Sequence, residues 1–373
     1  MTGTGRPRLA IAHDYLTQRG GAERVVLAMA RAFPEARIHT TLYDPDGTYP
    51  EFAAHDIVTS PLNRIGPLRR RHRLALPFLA PTASAMRVDA DVVLVSSSGW
   101  AHGFGHGGRS LVYCYSPARW LYQTETYLGG PAHRSPHGLA LLLLRPALRR
   151  WDQRAAHGAT RYLAISRAVR ERIRDTYGLD ADVVPAPHSM DAAAPREAVP
   201  ELADWADGGY HLVVSRLLPY KNVDVVVEAV RGTDHRLVVV GAGPGRDALL
   251  ATRPDNVRLV SGLSDPQVRW VYAHSRTLVA PSIEDYGLSP LEAAVFGRPS
   301  LTLRAGGYLD TVVEGVTGLH VDAADPALVR AGLDEVEAHP FDPDALRAHA
   351  ARFGEAGFAA RLQDEVDSLL RDA

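Results

Sequence analysis

The chain has 373 residues, of which 46% are hydrophobic and 23% are charged. This length is typical of two domains of about 150 residues each, and the composition excludes a disordered tail, a fibrous protein and a disulfide scaffold. Because Cys114 is the only cysteine, no internal disulfide can form, and a reducing cytosol fits. The longest apolar run, residues 139–144, is far below the roughly 18 residues of a membrane-spanning helix, and the chain start lacks the apolar core of a secretion signal. We therefore expect a cytoplasmic protein.

Charge is divided unevenly along the chain. Residues 1–190 hold 24 basic and 15 acidic residues, a net charge of +9, whereas residues 191–373 hold 17 basic and 28 acidic residues, a net charge of −11. This division predicts two modules, of which the first could face an anionic surface or substrate. Lys221 is the one lysine among 41 basic residues. It marks a position that could require a compact ammonium instead of a planar guanidinium, and survival by chance is the alternative.

Short apolar runs alternate with amphipathic stretches, which predicts parallel α/β sheets. Strands are predicted at residues 9–12, 92–95, 111–114, 162–165, 212–214, 237–240, 277–280 and 319–321. A helix is predicted from Val26, Met29, Ala30 and Phe33, another from Val223, Val226, Val227 and Val230, and a terminal one from Phe358, Leu362, Val366 and Leu369. Two prolines exclude a regular helix at residues 184–188, so we place the linker between two domains there.

One candidate site lies in residues 281–297, where a predicted buried strand runs into a loop that turns at Gly287 and opens a short helix. Ser289 is the predicted N-cap, Pro290 is the first helical residue, and Gly297 follows the last one. The start of such a helix directs free backbone N–H groups at phosphate or sugar oxygens.

Two acidic residues in this segment could contact a ligand. Glu284 lies on the loop, where a solvated surface acid is the alternative. Glu292 lies one turn into the helix, where the alternative is a capping box in which it bonds back to the backbone of Ser289.

Two further loops follow predicted strands. Arg216 and Lys221 flank a turn at Pro219, at the sheet edge where open α/β folds bind ligands. Together they could neutralise a diphosphate, and two unrelated surface cations are the alternative. Gly20 and Gly21 could let the backbone approach a ligand closely, and a plain tight turn is the alternative.

Other ligand motifs are weak. Residues 241–245 are rich in glycine, but Arg246 stands where a dinucleotide fingerprint requires glycine and Pro244 removes a backbone donor, so we reject that interpretation. We find no metalloprotease, Cys-x-x-Cys, Gly-x-Ser-x-Gly or Walker motif, and we predict no metal site. Of the sixteen histidines, His102 and His106 in a glycine-rich loop after a strand are the best site candidates.

Together these motifs resemble retaining glycosyltransferases of family 4, which have the GT-B architecture. The resemblance covers nearly the whole chain and rests on four elements in the family's order. They are Gly20-Gly21-Ala22-Glu23, Arg216 with Lys221, Glu-x7-Glu from Glu284 to Glu292, and Gly306-Gly307 with Gly315-Val316-Thr317-Gly318-Leu319. The resemblance implies two Rossmann-like parallel-sheet domains facing across a cleft. Residues 1–186 would bind the acceptor, residues 187–355 would bind the nucleotide sugar, and a helix at 356–373 would pack back on the first domain.

The resemblance also implies roles for individual residues. Arg216, Lys221 and Glu284 would be the catalytic set: the two cations would hold the donor diphosphate, and Glu284 would contact the sugar hydroxyls. Glu292 would bind the ribose. Other donor contacts would come from Gly20, Gly21, Tyr286, Gly287 and Leu288, with Leu263 near the nucleobase. Because cations and a helix end would offset the leaving-group charge, neither a metal nor another cofactor is expected.

The first domain resembles family members with Ser-Ser-Ser and Tyr-Cys-His-x-Pro-x-Arg segments, many of which are mannosyltransferases of polysaccharide assembly. The second segment here reads Tyr113-Cys114-Tyr115-Ser116-Pro117-Ala118-Arg119, so Tyr115 stands where many relatives carry histidine. A retaining reaction remains the expectation, because the departing diphosphate can itself take the acceptor proton. His102, Tyr115 and Arg119 are the candidates for the acceptor pocket.

We therefore expect a metal-independent retaining glycosyltransferase. It would move a hexose-type sugar from a GDP- or UDP-sugar to a hydroxyl of a glycan, a lipid-linked glycan or a natural product, and no nucleic-acid partner is expected. Two basic stretches, residues 67–79 and 141–151, could touch an anionic membrane at its inner face, and solvated helix faces are the alternative. The alternatives for the whole chain are a non-hydrolysing nucleotide-sugar 2-epimerase and a sugar-nucleotide-binding protein without catalysis.

Overall fold

The computed structural model describes residues 7–124 and 136–371, apart from the side chains of Arg73 and of residues 136–140. The first six residues, the segment 125–135 and the last two residues lie outside this description. The chain forms two compact units. The first unit comprises the chain up to Pro187 together with the chain from Glu355 onward, and the second unit comprises His188–Gly354. The chain therefore leaves the first unit once and returns to it.

The first unit is built on a parallel sheet. Its strands are β1 (Leu9–His13), β2 (Arg37–Thr40), β3 (Ile57–Thr59), β5 (Val92–Ser97), β7 (Arg109–Cys114), β8 (Arg161–Ala164) and β9 (Ala181–Val183), and β4 (Arg87–Val88) pairs separately with β6 (Gly105–His106). Among the described residues the sheet order is β3-β2-β1-β5-β7-β8-β9, with every neighbouring pair parallel. Successive strands are added outward on one side of β1 and then on the other, so the order reverses between β1 and β5.

Helices connect these strands, as parallel pairing requires. They are α1 (Gly21–Ala32), α2 (Gly66–Arg70), α3 (Leu76–Ala85), α4 (Arg119–Tyr122), α5 (Pro136–His157) and α6 (Arg167–Tyr177). In α1 the residues Val26, Met29 and Ala30 are buried, as their helical spacing predicts. None of the described helices combines the length and the apolar composition that crossing a membrane requires.

The second unit repeats the same architecture. Its strands are β10 (Tyr210–Val214), β11 (Leu237–Val240), β12 (Val257–Val260), β13 (Ser275–Ala280), β14 (Ser300–Leu303) and β15 (Gly318–Val321). They pair in parallel in the order β12-β11-β10-β13-β14-β15, so the order reverses between β10 and β13. The helices are α7 (Val223–Ala229), α8 (Arg246–Thr252), α9 (Asp265–His274), α10 (Leu288–Val295), α11 (Tyr308–Thr311), α12 (Pro326–Ala338) and α13 (Pro343–Ala351).

The last helix, α14 (Glu355–Arg371), belongs to the first unit. Phe358, Leu362, Val366 and Leu369 are buried, as the sequence pattern predicts. The helix packs against α1 and β7, and the ring of Phe358 lies edge-on to Tyr113 at 5.6 Å between centroids. The prediction of a C-terminal helix on the first domain is confirmed, as is that of two Rossmann-like parallel sheets.

The sequence did not predict strands β2, β3, β9, β12 and β14. Several of these strands mix polar with apolar residues: β2 reads Arg-Ile-His-Thr, and β12 reads Val-Arg-Leu-Val. In contrast, every residue of β5 is buried, so its apolar run is continuous. Apolar runs therefore identify most of the central strands. They also identify the edge strand β15, and they miss β14, which is fully buried but reads Ser-Leu-Thr-Leu.

Candidate active site

The second sheet brings Lys221 and Glu284 together where its strand order reverses. Lys221 ends a short helical turn after β10, and Glu284 lies in the loop after β13. The Lys221 ammonium forms an ion pair with Glu284 Oε1, and the two side chains are only 13% and 18% exposed. Asn222 has a left-handed conformation, with φ of 53°, and its side-chain amide donates to the Pro281 carbonyl at 2.7 Å. The two loops are thus joined by a charged contact and a neutral one, at the point where open α/β sheets bind ligands.

Glu284 also accepts hydrogen bonds from Ser282 and Gly307. The Ser282 hydroxyl donates to Glu284 Oε1 at 3.0 Å and lies 3.4 Å from the Tyr308 hydroxyl. Burial raises the pKa of Tyr308 above its ordinary value, so this phenol stays protonated. The Gly307 amide donates to the Glu284 carbonyl at 2.8 Å, and a Cβ at Gly307 would lie 2.2 Å from the Tyr286 Cα. The Gly306-Gly307 pair is therefore required so that two loops can pack backbone to backbone.

Helix α10 begins at Leu288, shortly after the loop that carries Glu284. The N-cap is Gly287, with φ of 102° and no side-chain cap, so the predicted N-cap at Ser289 is wrong. Glycine adopts this left-handed conformation without strain, and the helix begins two residues earlier than predicted, at Leu288 instead of Pro290. A Cβ at Gly287 would lie 2.6 Å from Tyr308 Cδ1. The helix start therefore leaves backbone N–H groups without an intrahelical partner next to Glu284.

Glu292 does not form the capping box. Its carboxylate accepts a hydrogen bond of 2.7 Å from the Tyr272 hydroxyl in α9. Burial and the neighbouring Glu292 raise the pKa of Tyr272 well above its ordinary value, so the phenol remains a donor. Glu292 is half-buried in the second unit and oriented by Tyr272, which leaves its other carboxylate oxygen for a further donor.

Arg216 lies farther out than Lys221. Its side chain is exposed, and it donates to the Tyr220 hydroxyl at 3.2 Å. The Lys221 ammonium lies 5.1 Å from the centre of the same ring. Sequence reasoning missed Tyr220, which touches both cations; an aromatic residue between Pro219 and Lys221 was the available signal.

The glycine-rich residues 241–245 support the Arg216 loop instead of binding a dinucleotide. The Leu217 amide donates to the Ala242 carbonyl at 2.9 Å, and the Gly245 amide donates to the Leu217 carbonyl at 3.1 Å. A Cβ at Gly241 would lie 1.9 Å from the Ser215 carbonyl oxygen. The glycines therefore allow the two loops to pack closely.

The other predicted donor residues lie at the same carboxyl edge of the sheet. Tyr286 is buried, and burial raises its pKa above the ordinary value. Leu288 is half-buried in the first turn of α10. Leu263 follows β12 and is half-buried against the core, and the next residue, Ser264, caps α9 through a hydrogen bond to the Gln267 amide.

A second polar cluster lies at the reversal point of the first sheet. His13 Nδ1 at the end of β1 is 2.9 Å from the Ser96 hydroxyl in β5, and this hydroxyl is 2.9 Å from the hydroxyl of Tyr115. Tyr115 also donates to the Ala22 carbonyl in α1 at 3.2 Å. Burial raises the pKa of Tyr115, so it acts as a donor. Tyr115 thus connects the end of β7 to the Gly20-Gly21 turn, and sequence reasoning missed His13, which directly follows an apolar strand.

The Gly20-Gly21 turn accommodates the buried side chain of Glu23. Gly20 is the N-cap of α1, and a Cβ there would lie 2.5 Å from Glu23 Oε2. Glu23 is 1% exposed, and burial raises its pKa, an effect that the nearby His13 partly opposes. Glycine at position 20 therefore makes room for a carboxyl of the same chain.

His102 is buried in a separate polar network. Its Nδ1 is 3.2 Å from the Ser97 hydroxyl, and its Nε2 is 3.1 Å from Asp152 Oδ1. The Tyr122 hydroxyl donates to the other Asp152 oxygen at 2.7 Å. The adjacent loop is fixed by Asp14, whose carboxylate accepts from the amides of Ser98, Trp100 and Ala101. His102 and Tyr115 thus contact different hydrogen-bond partners. Arg119, the third candidate for the acceptor pocket, is the first residue of α4.

The two basic stretches of the first half pack on one apolar cluster. Leu68 and Leu76 from one stretch, and Leu141, Leu148 and Trp151 from the other, contact the cluster that contains Leu79 and Trp120. Exposed apolar side chains lie on both segments: Leu74, Phe78, Leu142, Leu143 and Leu144. An open cavity of about 760 Å³ is lined by several arginines, among them Arg149 and Arg154 of α5 and Arg172 of α6.

The chain matches two family models. Residues 19–193 match the model described as Glycosyltransferase Family 4, and residues 204–358 match the model described as Glycosyl transferases group 1. D-rhamnosyltransferase WbpZ of Pseudomonas aeruginosa is 29% identical over 56% of this chain and 57% of its own length. D-inositol 3-phosphate glycosyltransferase of Thermobispora bispora is 34% identical over 44% of each chain. The chain thus spans about half the length of these curated relatives.

Solved structures share the fold over nearly the full chain. HepE of Anabaena in complex with UDP-glucose superposes with a TM-score of 0.69 at 15% identity, covering 97% of this chain and 100% of that one. The two parallel-sheet units and this structural likeness define the GT-B fold class. Both family models describe glycosyltransferases, and the one that matches residues 19–193 is described as Family 4, so the predicted family resemblance and fold class are confirmed.

Proposed function

We propose that this chain is a retaining glycosyltransferase that uses a nucleotide-activated sugar. The observation that carries the proposal is the Lys221–Glu284 ion pair at the reversal point of the second sheet, beside the free N–H groups at the start of α10. A cation, a carboxylate and a helix start in one place match the three chemical parts of a sugar diphosphate: phosphate oxygens, sugar hydroxyls and developing negative charge. The UDP-glucose in the HepE structure supports the same class of donor.

In this proposal each side chain has one task. Lys221 and Arg216 bind the diphosphate, and Tyr220 keeps the two cations near one another. Glu284 accepts hydrogen bonds from the sugar hydroxyls, and Glu292, already oriented by Tyr272, accepts them from the ribose. Lys221 and Glu284 pair with each other in the described structure. Binding of the donor would replace this ion pair by two contacts, one between Lys221 and the diphosphate and one between Glu284 and the sugar hydroxyls.

The chemical step breaks the bond between the anomeric carbon and the diphosphate oxygen. The acceptor oxygen forms the new bond on the same face of the sugar, and its proton passes to the departing diphosphate oxygen. Lys221, Arg216 and the start of α10 stabilise the negative charge that develops on the leaving group, so the proposed reaction requires no metal. The donor is a GDP- or UDP-hexose, and the acceptor is a hydroxyl of a glycan, a lipid-linked glycan or a natural product.

Donor assays with matched variants test this function. Purified chain is mixed with UDP-, GDP- and TDP-sugars; one of them should raise the melting temperature, and the same donor should be hydrolysed or transferred with retention, as read by NMR of the product anomer. Lys221→Met and Glu284→Gln should abolish turnover with little change in folding. The exposed pair Arg231 and Glu228 supplies the controls Arg231→Met and Glu228→Gln, which should leave turnover intact.

Three outcomes would contradict the proposal. Epimerised donor without any acceptor would indicate the 2-epimerase, and donor binding without turnover would indicate a binding protein. Full turnover in both Lys221→Met and Glu284→Gln would show that the ion pair is not the site.

We also propose that the two basic stretches contact an anionic membrane surface. Their exposed leucines and phenylalanine lie beside arginines on segments that share one apolar cluster, an arrangement that suits shallow insertion with headgroup contacts. Leu143 is 83% exposed and Phe78 is 50% exposed. Vesicles of phosphatidylglycerol should sediment the chain, those of phosphatidylcholine should not, and Leu143→Glu with Phe78→Glu should abolish the binding. Leu328→Glu, at a leucine 45% exposed in the second unit, is the control; equal loss there would refute a specific surface.

A further inference from the structure

Three side chains with metal-binding atoms converge at the amino edge of the second sheet, opposite the edge that carries Lys221 and Glu284. His211 is the second residue of β10, and His235 lies in the turn before β11. Glu337 lies in the last turn of α12. His211 shares a sheet face with Val213, which packs in the same core as Val336 of α12, so the helix brings Glu337 to the end of this core.

The spacing of the three atoms fits one ion. His211 Nε2 lies 3.1 Å from His235 Nδ1 and 3.3 Å from Glu337 Oε1, and His235 Nδ1 lies 3.9 Å from the same oxygen. Ligands around a tetrahedral zinc ion, each at about 2.0–2.1 Å, are separated by about 3.3–3.4 Å. Two imidazole nitrogens and one carboxylate oxygen form a ligand set that zinc uses when its fourth position is left to water. Among the described His, Cys, Asp and Glu side chains, these three form a group that could share an ion, because their ligand atoms all lie within 4.8 Å of one another.

Asp334 orients one of the ligands. Its Oδ1 is 2.8 Å from His235 Nε2, and it lies one turn before Glu337 on the same face of α12. A proton held on Nε2 by this carboxylate leaves the Nδ1 lone pair free to bind a cation, which is the arrangement that supports histidine ligands in zinc proteins. The backbone of His235 is fixed as well, because the Asn256 amide donates to its carbonyl at 2.8 Å.

The cluster is accessible from solvent, and the guanidinium of Arg276 contacts one of its ligand atoms. His211 is buried, His235 is 12% exposed and Glu337 is 33% exposed, and a cavity of about 310 Å³ lined in part by His211, Asp234 and Arg276 reaches it. Arg276 Nη1 is 3.0 Å from Glu337 Oε1, and the same guanidinium donates to the Gly208 carbonyl, but the arginine side chain is 54% exposed. An incoming ion would therefore displace a surface guanidinium and no part of the core.

We propose that His211, His235 and Glu337 bind one divalent transition-metal ion, with zinc as the best fit and Asp334 as the positioning residue. The ion joins β10, the turn before β11 and the end of α12, and it stabilises the second unit without taking part in sugar transfer. The ligands are separated by long stretches of chain, which explains why no motif in the sequence indicated them.

The test uses the full chain treated with EDTA and then freed of it. Titration with zinc alone should give one bound ion per chain and a rise in melting temperature that EDTA reverses. Cobalt(II) at the same site should give the intense visible bands of four-coordinate cobalt. His235→Ala and Glu337→Gln should each remove the ion and the bands, whereas Asp334→Asn should weaken binding about 10- to 100-fold. Arg276→Gln should tighten it, because the competing cation is lost.

His320→Ala, at a half-buried histidine of the same unit outside the cluster, is the matched control and should bind as the unmodified chain does. The melting temperature of each metal-free variant shows whether it folds; if His235→Ala does not, Glu337→Gln decides. Absence of saturable zinc binding, or an unchanged stoichiometry in Glu337→Gln, overturns the proposal. If the unmodified chain binds zinc but transfers no sugar, the result counts against the proposed function and leaves this inference standing.

Discussion

At the scale of single residues, the shape of the charged group at position 221 matters for the site as much as the sign of its charge. Lys221 is the one lysine of the chain and is largely buried in its pair with Glu284. An arginine there is longer, planar and less able to fit between Glu284 and the ring of Tyr220. The background of forty arginines made the position conspicuous in the sequence, and the contact with Glu284 gives a physical reason for it.

Lys221→Arg should therefore reduce sugar transfer about 100-fold or more, although the charge is kept. This is the usual effect of removing one preorganised donor that stabilises transition-state charge in an active site. The measurement is kcat with the donor found by thermal shift, and Arg231→Lys, at an exposed arginine of the same unit, is the control. Turnover near that of the unmodified chain would mean that charge alone suffices at this position.

Glu23 leads to a prediction about pH. Because burial raises its pKa in the folded chain, its contribution to stability is complete below the ordinary value of 4.5 and is lost as the pH rises through the folded value. Glu23→Gln cannot ionise, so its free energy of unfolding should exceed that of the unmodified chain at pH 7.5, and the difference should shrink toward pH 5. Denaturant titrations at several pH values measure it. Glu51→Gln, at an exposed acid of the same unit, should show no such trend.

Some of these residues could be found from the sequence and others could not. Lys221 and Glu284 were predicted because each follows an apolar strand within a family motif. His13 ends β1 and Asp14 directly follows it, but their partners Ser96 and Ser98 lie more than eighty residues away. A single sequence does not show that such positions meet, because the sheet order alone brings them together.

At the scale of elements, the turn at Gly287 determines where α10 begins. The sequence prediction placed the start at Ser289 because serine and proline are common at helix starts. The positive φ at Gly287 overrides this preference, and backbone conformation of this kind is not visible in side-chain patterns. The strands were predicted better where several apolar residues follow one another, as at residues 92–95 of β5.

Gly287→Ala should destabilise the second unit by more than the roughly 1–2 kcal/mol of a left-handed alanine, because its Cβ would also overlap the Tyr308 ring. Gly232→Ala separates the two effects: Gly232 has φ of 68° and open space around the position of a Cβ. Denaturant unfolding of both variants gives the comparison. Equal losses of stability would mean that the Tyr308 ring moves aside at no cost.

At the scale of the whole molecule, α14 completes the first unit from the far end of the chain. Phe358 is 4% exposed and contacts Tyr113 of β7, and Arg161 of β8 donates to Glu365 at 3.0 Å. The amphipathic pattern of α14 was visible in the sequence, but its docking surface was known only through the family resemblance. The pattern shows which face is buried and not what covers it.

Phe358→Ala should cost about 3–5 kcal/mol of stability, the range for a buried phenylalanine, and the loss should be confined to the first unit. Hydrogen exchange resolves the two units: amides of β7 and α1 should lose protection while those of the second sheet keep theirs. Asp364→Ala, at an exposed position of the same helix, is the control. Equal loss of protection in both units would show that they unfold as one.

The return of the chain to its first unit has a consequence during synthesis on the ribosome. The residues up to Pro187 emerge before His188–Gly354, yet the helix that covers β7 and α1 emerges only after it. The later unit can therefore finish folding while the earlier one still exposes an apolar face. Over this interval, about ten to thirty seconds at typical rates of elongation, the nascent chain should be most prone to aggregation and most dependent on chaperones.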